Sequence, residues 1–495
     1  MDGTTFQSEL LARLPLAQAV FRLFAYALPE PFLQELYEEH RGRCYERALT
    51  FPQLVYLVRD ALLVHEGSGH RSFRRAEEAG ELPVAVQNAY GKLARLPLPL
   101  SLSLALLAGG TRRLAGLMPP GYTPAPLPAS VVAAGLRPVV VDGKKLKNAA
   151  KRLKVLRGLP GKLLGAKLLA GLSLDSGLVV AMSADPDGEA NDVPLVPGLL
   201  PQVRANLPAG EAPGGEARAG EARARPILWV VDCQFCDLNL PALFTAGGDH
   251  LLVRFTNKMG FHPDPARPAL AGADGRGRPF TQEWGWVGSA KDKRRRYVRR
   301  VTLTRGDGER DVVLITDLLD ERAFPAADLL ELYLLRWGIE RVFQQVTEVF
   351  DLRRLIGSTP RATVFQAAFC FLLYNMVQVA RAYAAAAAGR PAEEVSTENL
   401  FHDATHELIT WAKVGEPAHA AAHLAEPMPA DELRRELAGL IGPAWSDRWI
   451  KQKNKNPRQP TSKARRSGAH TSVWRVLQQH NQRRQKRAAT LVIRS

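Results

Sequence analysis

The stretch ELYLLRWGIERVFQQV, residues 331–346, sets a tyrosine, an arginine and a glutamate into an otherwise greasy run. On a helix turning about 100° per residue, with Tyr333 at zero, Arg336 falls near about 300° and Glu340 near about 340°. Leu332, Leu335, Ile339, Val342, Phe343 and Val346 gather on the adjacent stripe. An amphipathic helix with its polar strip in water would account for that pattern. Trp337 argues instead for a strip facing a cleft, because a large aromatic borders the same polar groups.

Two more carboxylates could give that strip something to face. Asp142 follows VVV and Asp232 follows LWVV, at the ends of the two most hydrophobic strand-like runs. The carboxyl ends of buried strands are where α/β sheets place ligands. The competing reading is that Asp142 opens an Asp-Gly turn. Together, Asp142, Asp232 and Glu340 offer hard oxygen donors, a set suited to two Mg²⁺ ions with Mn²⁺ able to substitute. Paired ions of that kind serve in-line attack on phosphate. No His/Cys cluster competes. Cys44, Cys233, Cys236 and Cys370 form no disulfide framework, and Cys233-x-x-Cys236 lacks partners at zinc spacing, so the pair reads as structural.

These residues need a scaffold, and a chain of 495 residues has room for two or three domains. Residues 1–129 read as a helical N-terminal domain closed by the Pro-rich linker MPPGYTPAPLPA. From 130 to 385 the pattern becomes α/β. RPVVVDG is a short strand followed by a Lys-rich loop, and AKLLAGLSLDSGLVVAMSA is a hairpin turning at Asp175. NDVPLVPGLLPQV is a helix that Asn191 and Asp192 would cap; ILWVV and HLLVRF are further strands around a short helix. A strand-rich, basic insertion spans about 258–327, and one long helix carrying the opening stretch follows it. That order implies a mixed sheet flanked by helices on both faces.

VFQAAFCFLLYNMVQVA is broken by Gln366, Asn375 and Gln378, so it reads as a buried helix rather than a membrane span. With no signal-peptide pattern at the N-terminus, a cytoplasmic protein is expected. Residues 386–495 form a helical C-terminal region ending in a basic arm, 451–495, with thirteen Lys/Arg and no acid. The chain's net charge is +16. Such an excess points to nucleic acid, and the arm reads as a solvated segment that contacts it.

With these residues in place, the chain resembles the cut-and-paste insertion-sequence transposases of the DDE class, whose catalytic core is ribonuclease-H-like. The family hallmark, Y-x2-R-x3-E-x6-K, is matched at Tyr333, Arg336 and Glu340, and its last position is Thr347 here. RWGIERVF, VVVDGKKLK, VVDCQF and LITDLLDERAFPAADLLELYLLRW resemble the family's wording around the three acids. The resemblance implies an Mg²⁺-dependent enzyme that frees a 3′-OH at the element ends and joins it to target DNA. Asp142, Asp232 and Glu340 would hold the metal, with Tyr333 and Arg336 orienting the glutamate and a phosphate. Its partners would be double-stranded DNA, both terminal inverted repeats and target, and a second copy of the chain. The enzyme would work at the bacterial nucleoid.

Lys144, just past the first aspartate, would touch phosphate or sit in a solvated loop. Trp284 and Trp286 would stack on a displaced base or pack the insertion's core. Arg341 is a candidate for the cation missing at position 347, as are Arg353 and Arg354. The rival readings are a related metal-dependent nuclease, a domesticated descendant, and a DNA-binding protein without catalysis.

Overall fold

A computed structural model describes residues 3–42, 48–95, 100–207, 225–256, 259–305, 310–349, 356–415, 428–452 and 470–492. Cys44, Arg353 and Arg354 lie outside them. The N-terminal region is helical as expected: α1 (Gly3–Ala12), α2 (Pro15–Ala27), α3 (Glu30–His40), α4 (Phe51–Leu63), α5 (Gly69–Glu78), α6 (Val86–Arg95) and α7 (Leu100–Ala115). Local chemistry sets their starts. At α4, the Thr50 hydroxyl accepts from the Gln53 amide while the Gln53 side chain accepts from the Thr50 amide. After the short α8 (Ala129–Ala133) the chain enters the sheet.

Five strands build its centre: β1 (Arg137–Lys147), β2 (Lys162–Ser173), β3 (Val179–Asp185), β4 (Ile227–Val231) and β5 (His250–Arg254). The helices α9 (Val196–Asn206) and α10 (Leu240–Phe244) connect them. Next come β6 (Phe261–Pro263), β7 (Leu270–Ala273), β8 (Pro279–Val287), β9 (Arg296–Leu303) and β10 (Val312–Thr316). The helical tail comprises α11 (Ala326–Leu335), α12 (Trp337–Glu348), α13 (Pro360–Ala387), α14 (Thr397–Val414) and α15 (Ala430–Ile441). A last strand, β11 (His470–Ser472), leads into α16 (Val473–Val492).

All eleven strands join one mixed sheet, ordered β11-β2-β1-β4-β5-β10-β9-β8-β6, with β3 also on β2 and β7 on β8. Strand alternation separates two cores. Val140, Leu168, Ala170 and Val230 face the large core shared with α13, whereas Val139, Val141, Leu169 and Val231 face the smaller core under α9. This is the ribonuclease-H-like layout of a mixed sheet with helices on both faces.

Four expectations change. The Asp-Gly pair does not turn the chain, because β1 runs through it to Lys147 and stays paired with β2 along the way. Continuous pairing with β2 outweighs a two-residue turn signal. The long helix is two, meeting at Arg336, where the Arg336 amide bonds the Tyr333 carbonyl in a tight turn. The insertion adds strands to the same sheet, since β10 pairs with both β5 and β9. And the basic arm is not wholly solvated, because β11 pairs in parallel with β2.

The apolar helix α13 is long and apolar enough to cross a membrane, and its most apolar window is wholly buried. The polar residues that interrupt it bolt it to its neighbours. The Asn375 side chain accepts from the Val179 amide and donates to the Val179 carbonyl and Thr111 hydroxyl. Gln366 accepts from the Ile356 amide, and Gln378 accepts from Arg381. Buried amides left without such partners would each cost about 1–3 kcal/mol.

Candidate active site

Asp142 and Asp232 are brought together by strand register. Val141 stands opposite Val231 in the parallel β1–β4 pair, so the next residues on each strand are neighbours. Both carboxylates continue the faces of Val140 and Val230, toward the large core. Asp142 is mid-strand; Asp232 directly follows β4. The Gly143 amide donates to Asp142 Oδ1 at 2.8 Å.

The α11–α12 junction supplies the rest. Arg336, buried, reaches Glu340 Oε1 at 3.2 Å with one Nη and lies 3.8 Å from Asp142 Oδ2 with the other. Its Nε is buried and has no hydrogen-bond acceptor among the described residues. Tyr333, buried, directs its hydroxyl at Asp232 Oδ1 at 3.5 Å, and the Arg336 guanidinium lies 5.7 Å from the Tyr333 ring. The tight turn at Arg336 thus keeps Tyr333, Arg336 and Glu340 on one strip while two helices meet.

Electrostatics follow from burial. Desolvation raises the Asp142 pKa to about 6, with Glu340 and Asp192 adding to the rise and the Gly143 amide and Arg336 opposing it. Burial pushes the Tyr333 phenol to about 12, so it is a proton donor at neutral pH. Burial works to lower the Arg336 pKa, but Tyr333, Asp232, Asp142 and Glu340 outweigh it and the net shift is upward.

Among the described residues, no three His, Cys, Asp or Glu side chains form a ready metal cage. The cation among these acids is Arg336. The donor set still fits a hard divalent ion: it is all oxygen, and the raised pKa of Asp142 records negative charge held out of water.

Residues 136–376 match the family model of the Transposase DDE domain. This chain carries a transposase DDE domain. The match runs from just before β1 into α13 and so contains all three acids. A comparison with curated proteins finds no match.

The remaining expected residues of the transposase domain separate. Lys144 shares the sheet face of Asp142 and places its ammonium 5.6 Å from the Phe343 ring of α12. Burial lowers its pKa, with Lys147 assisting and Asp142, Glu348 and Glu340 opposing. It therefore lies on a paired strand beside α12, not in a solvated loop. Thr347 turns its hydroxyl back onto the Phe343 carbonyl at 2.6 Å. Arg341 is exposed on α12, and its charge helps lower the pKa of Lys451, after burial and Arg381.

Trp284 is a correction. It is 1% exposed, its Nε1 donates to the Leu319 carbonyl, and Arg267 covers the ring at 3.7 Å, so no face is open to a base. Trp286 is half-buried, edge-on to Tyr297 and 4.3 Å from Arg295. Asp192 precedes the 3-10 turn Val193–Leu195 but makes no side-chain cap.

One feature was missed in the sequence. Asp192 and Lys167 form a buried ion pair at 2.6 Å on the reverse face of β1, packed where Gly143 leaves room. A glycine after the first aspartate was the available signal. Trp337, read from the sequence as the border of a cleft, is 51% exposed with Arg336 5.1 Å from its ring, so the aromatic lies at the mouth of the site rather than within a closed cleft.

Proposed function

We propose that the chain is an insertion-sequence DNA transposase that cuts element ends and joins the resulting 3′-OH to target DNA. Asp142, Asp232 and Glu340 are its working carboxylates. The observation that carries this reading is the juxtaposition of two aspartates, in register on parallel strands, with a glutamate whose arginine also reaches the first aspartate. A structural ion pair would need one carboxylate, not three.

The three acids would hold Mg²⁺, or Mn²⁺, which when bound supplies charge neutralisation and an activated oxygen nucleophile for phosphoryl transfer. Arg336 holds Glu340 in place through its Nη, and its unpaired buried Nε is a donor suited to a phosphate oxygen. Tyr333 stays protonated and steadies Asp232 through its hydroxyl. Lys144 brings a second positive charge from the sheet side, and Arg341 and Trp286 contact the DNA beyond the reacting phosphate. The partner is double-stranded DNA, terminal repeats and target, with two copies of the chain joining two ends. The setting is the bacterial cytoplasm.

The test is nicking of a duplex carrying the sequences that flank the coding region, in Mg²⁺ and in Mn²⁺. Glu340→Gln should abolish nicking, by at least about 1,000-fold, and leave DNA binding intact. Unchanged nicking in that variant refutes the assignment. Tight DNA binding by the parent with no nicking under either metal would favour the non-enzymatic reading.

A further inference from the structure

The C-terminal helix α16 finds no role in the site, yet its construction is specific. Its base is fixed to the protein: β11 pairs with β2, Val473 is fully buried, and Val476 and Leu477 pack on the large core. Arg475 pins the first turn through ion pairs to Asp187 and Glu189. From Gln478 to Lys486 every side chain is exposed.

Beyond Leu477 the sequence of the helix is QQHNQRRQKRAATLV, with no acid and no apolar stripe. Placed on a wheel from Arg483, His480, Arg484 and Lys486 fall within about 160° of arc. Gln478, Asn481, Gln482 and Gln485 occupy about 100° on the other side. A helix that is polar all round has no packing to sustain it unless something else does. Guanidinium groups pair with phosphate and with guanine, and amides pair with adenine, so this double-faced surface matches a nucleic-acid groove. The lever is roughly 20 Å long at 1.5 Å per residue, enough to lie along a groove.

The neighbouring surface has the same sign. The 3-10 turn Lys154–Leu156 in the β1–β2 connection packs against the base of α16, and Lys151, Lys154, Arg157 and Lys162 around it are exposed. That connection joins the strand of Asp142 to the strand that anchors β11.

We propose that α16 is a rigid DNA-reading lever, seated in the major groove of a bound duplex and tied through β11 and β2 to the strand of Asp142. This rests on DNA being the substrate but not on the cleavage chemistry, so the readout is binding. In the full-length Glu340→Gln background, a fluorescein-labelled 30-base-pair mixed-sequence duplex is titrated between 50 and 400 mM NaCl, all of these being settings of order chosen for duplex binding. Arg483→Ala/Arg484→Ala/Lys486→Ala should reduce the slope of log K against log salt by roughly 3 and weaken binding about 10–100-fold near physiological salt. Methyl green, which occupies the major groove, should compete with the parental protein, and netropsin in the minor groove should not. Gln478→Ala/Gln482→Ala/Gln485→Ala should keep the salt slope and lose affinity about 3–30-fold. An unchanged slope in the triple-cation variant overturns the lever and leaves the proposed function standing. Competition by netropsin alone overturns the groove. Loss of self-association in that variant, with DNA affinity retained, assigns the helix to a second copy of the chain and overturns the proposal. A parental chain that binds no duplex sinks both readings.

Discussion

Asp142→Asn should yield a protein that is inactive and more stable than its parent. The carboxyl sits on a buried strand with Glu340 and Asp192 near it, and its pKa is raised from 3.8 to about 6. At about 1.36 kcal/mol per pH unit, ionised Asp142 costs the fold roughly 3 kcal/mol above pH 7. Below about pH 4 folded and unfolded chains both carry the proton, and the cost vanishes; it grows as pH rises through the window between about 4 and 6. Asparagine keeps the acceptor for the Gly143 amide and removes the charge. Urea unfolding in EDTA should therefore show the variant more stable by about 2–3 kcal/mol at pH 8, converging with the parent near pH 4. Adding Mg²⁺ should stabilise the parent and not the variant, because a bound cation removes the repulsion that asparagine already relieves. A variant no more stable than the parent at pH 8 would refute the claim that this carboxylate is held at a cost to the fold.

Other expectations follow from single contacts. Lys144→Ala should slow DNA nicking about 10–100-fold at saturating DNA, the value of one charge-assisted contact, and Thr347→Lys in the same chain should recover part of it, since Thr347 lies one turn beyond the Phe343 ring that Lys144 approaches. No loss in the single variant would remove Lys144 from the site. Gly143→Ala should destabilise by about 3 kcal/mol or more in urea, because its Cβ would fall 1.9 Å from Asp192 Oδ1 and force apart a buried ion pair; a loss below about 1 kcal/mol would contradict the packing described. Trp284→Phe should cost about 1 kcal/mol of stability for the lost Leu319 hydrogen bond and leave DNA affinity alone. Trp286→Ala should do the opposite, and the reversed pattern in gel-shift and unfolding measurements would exchange their roles.

Much of the scaffold was legible because apolar periodicity is a local property. The β2–β3 hairpin, β4, β5, α9 and the buried α13 all fall where apolar runs and turn residues place them, although the cap expected of Asp192 does not form. Tyr333, Arg336 and Glu340 share a strip because helical spacing alone requires it, and the tight turn at Arg336 preserves that strip. Long-range pairing was not legible. Asp-Gly after VVV looks like a turn, and only the unbroken pairing with β2, which continues past the end of β4, carries the strand through it. Trp284 and Trp286 differ by two residues on one strand, so no local signal told which was covered; Arg267 and the Leu319 carbonyl decided it.

By itself the sequence determined which residues could do chemistry: three carboxylates, a tyrosine and an arginine at helical spacing, and a basic C-terminus without a single acid. The tertiary structure decided which of them meet. Strand register sets Asp142 beside Asp232, the α11–α12 turn carries Arg336 to Glu340 and Asp142, and β11 converts part of a charged tail into a fixed lever at the sheet edge. The physical reason is that side-chain type and period are set residue by residue, whereas register and edge pairing depend on backbone partners far away in the chain.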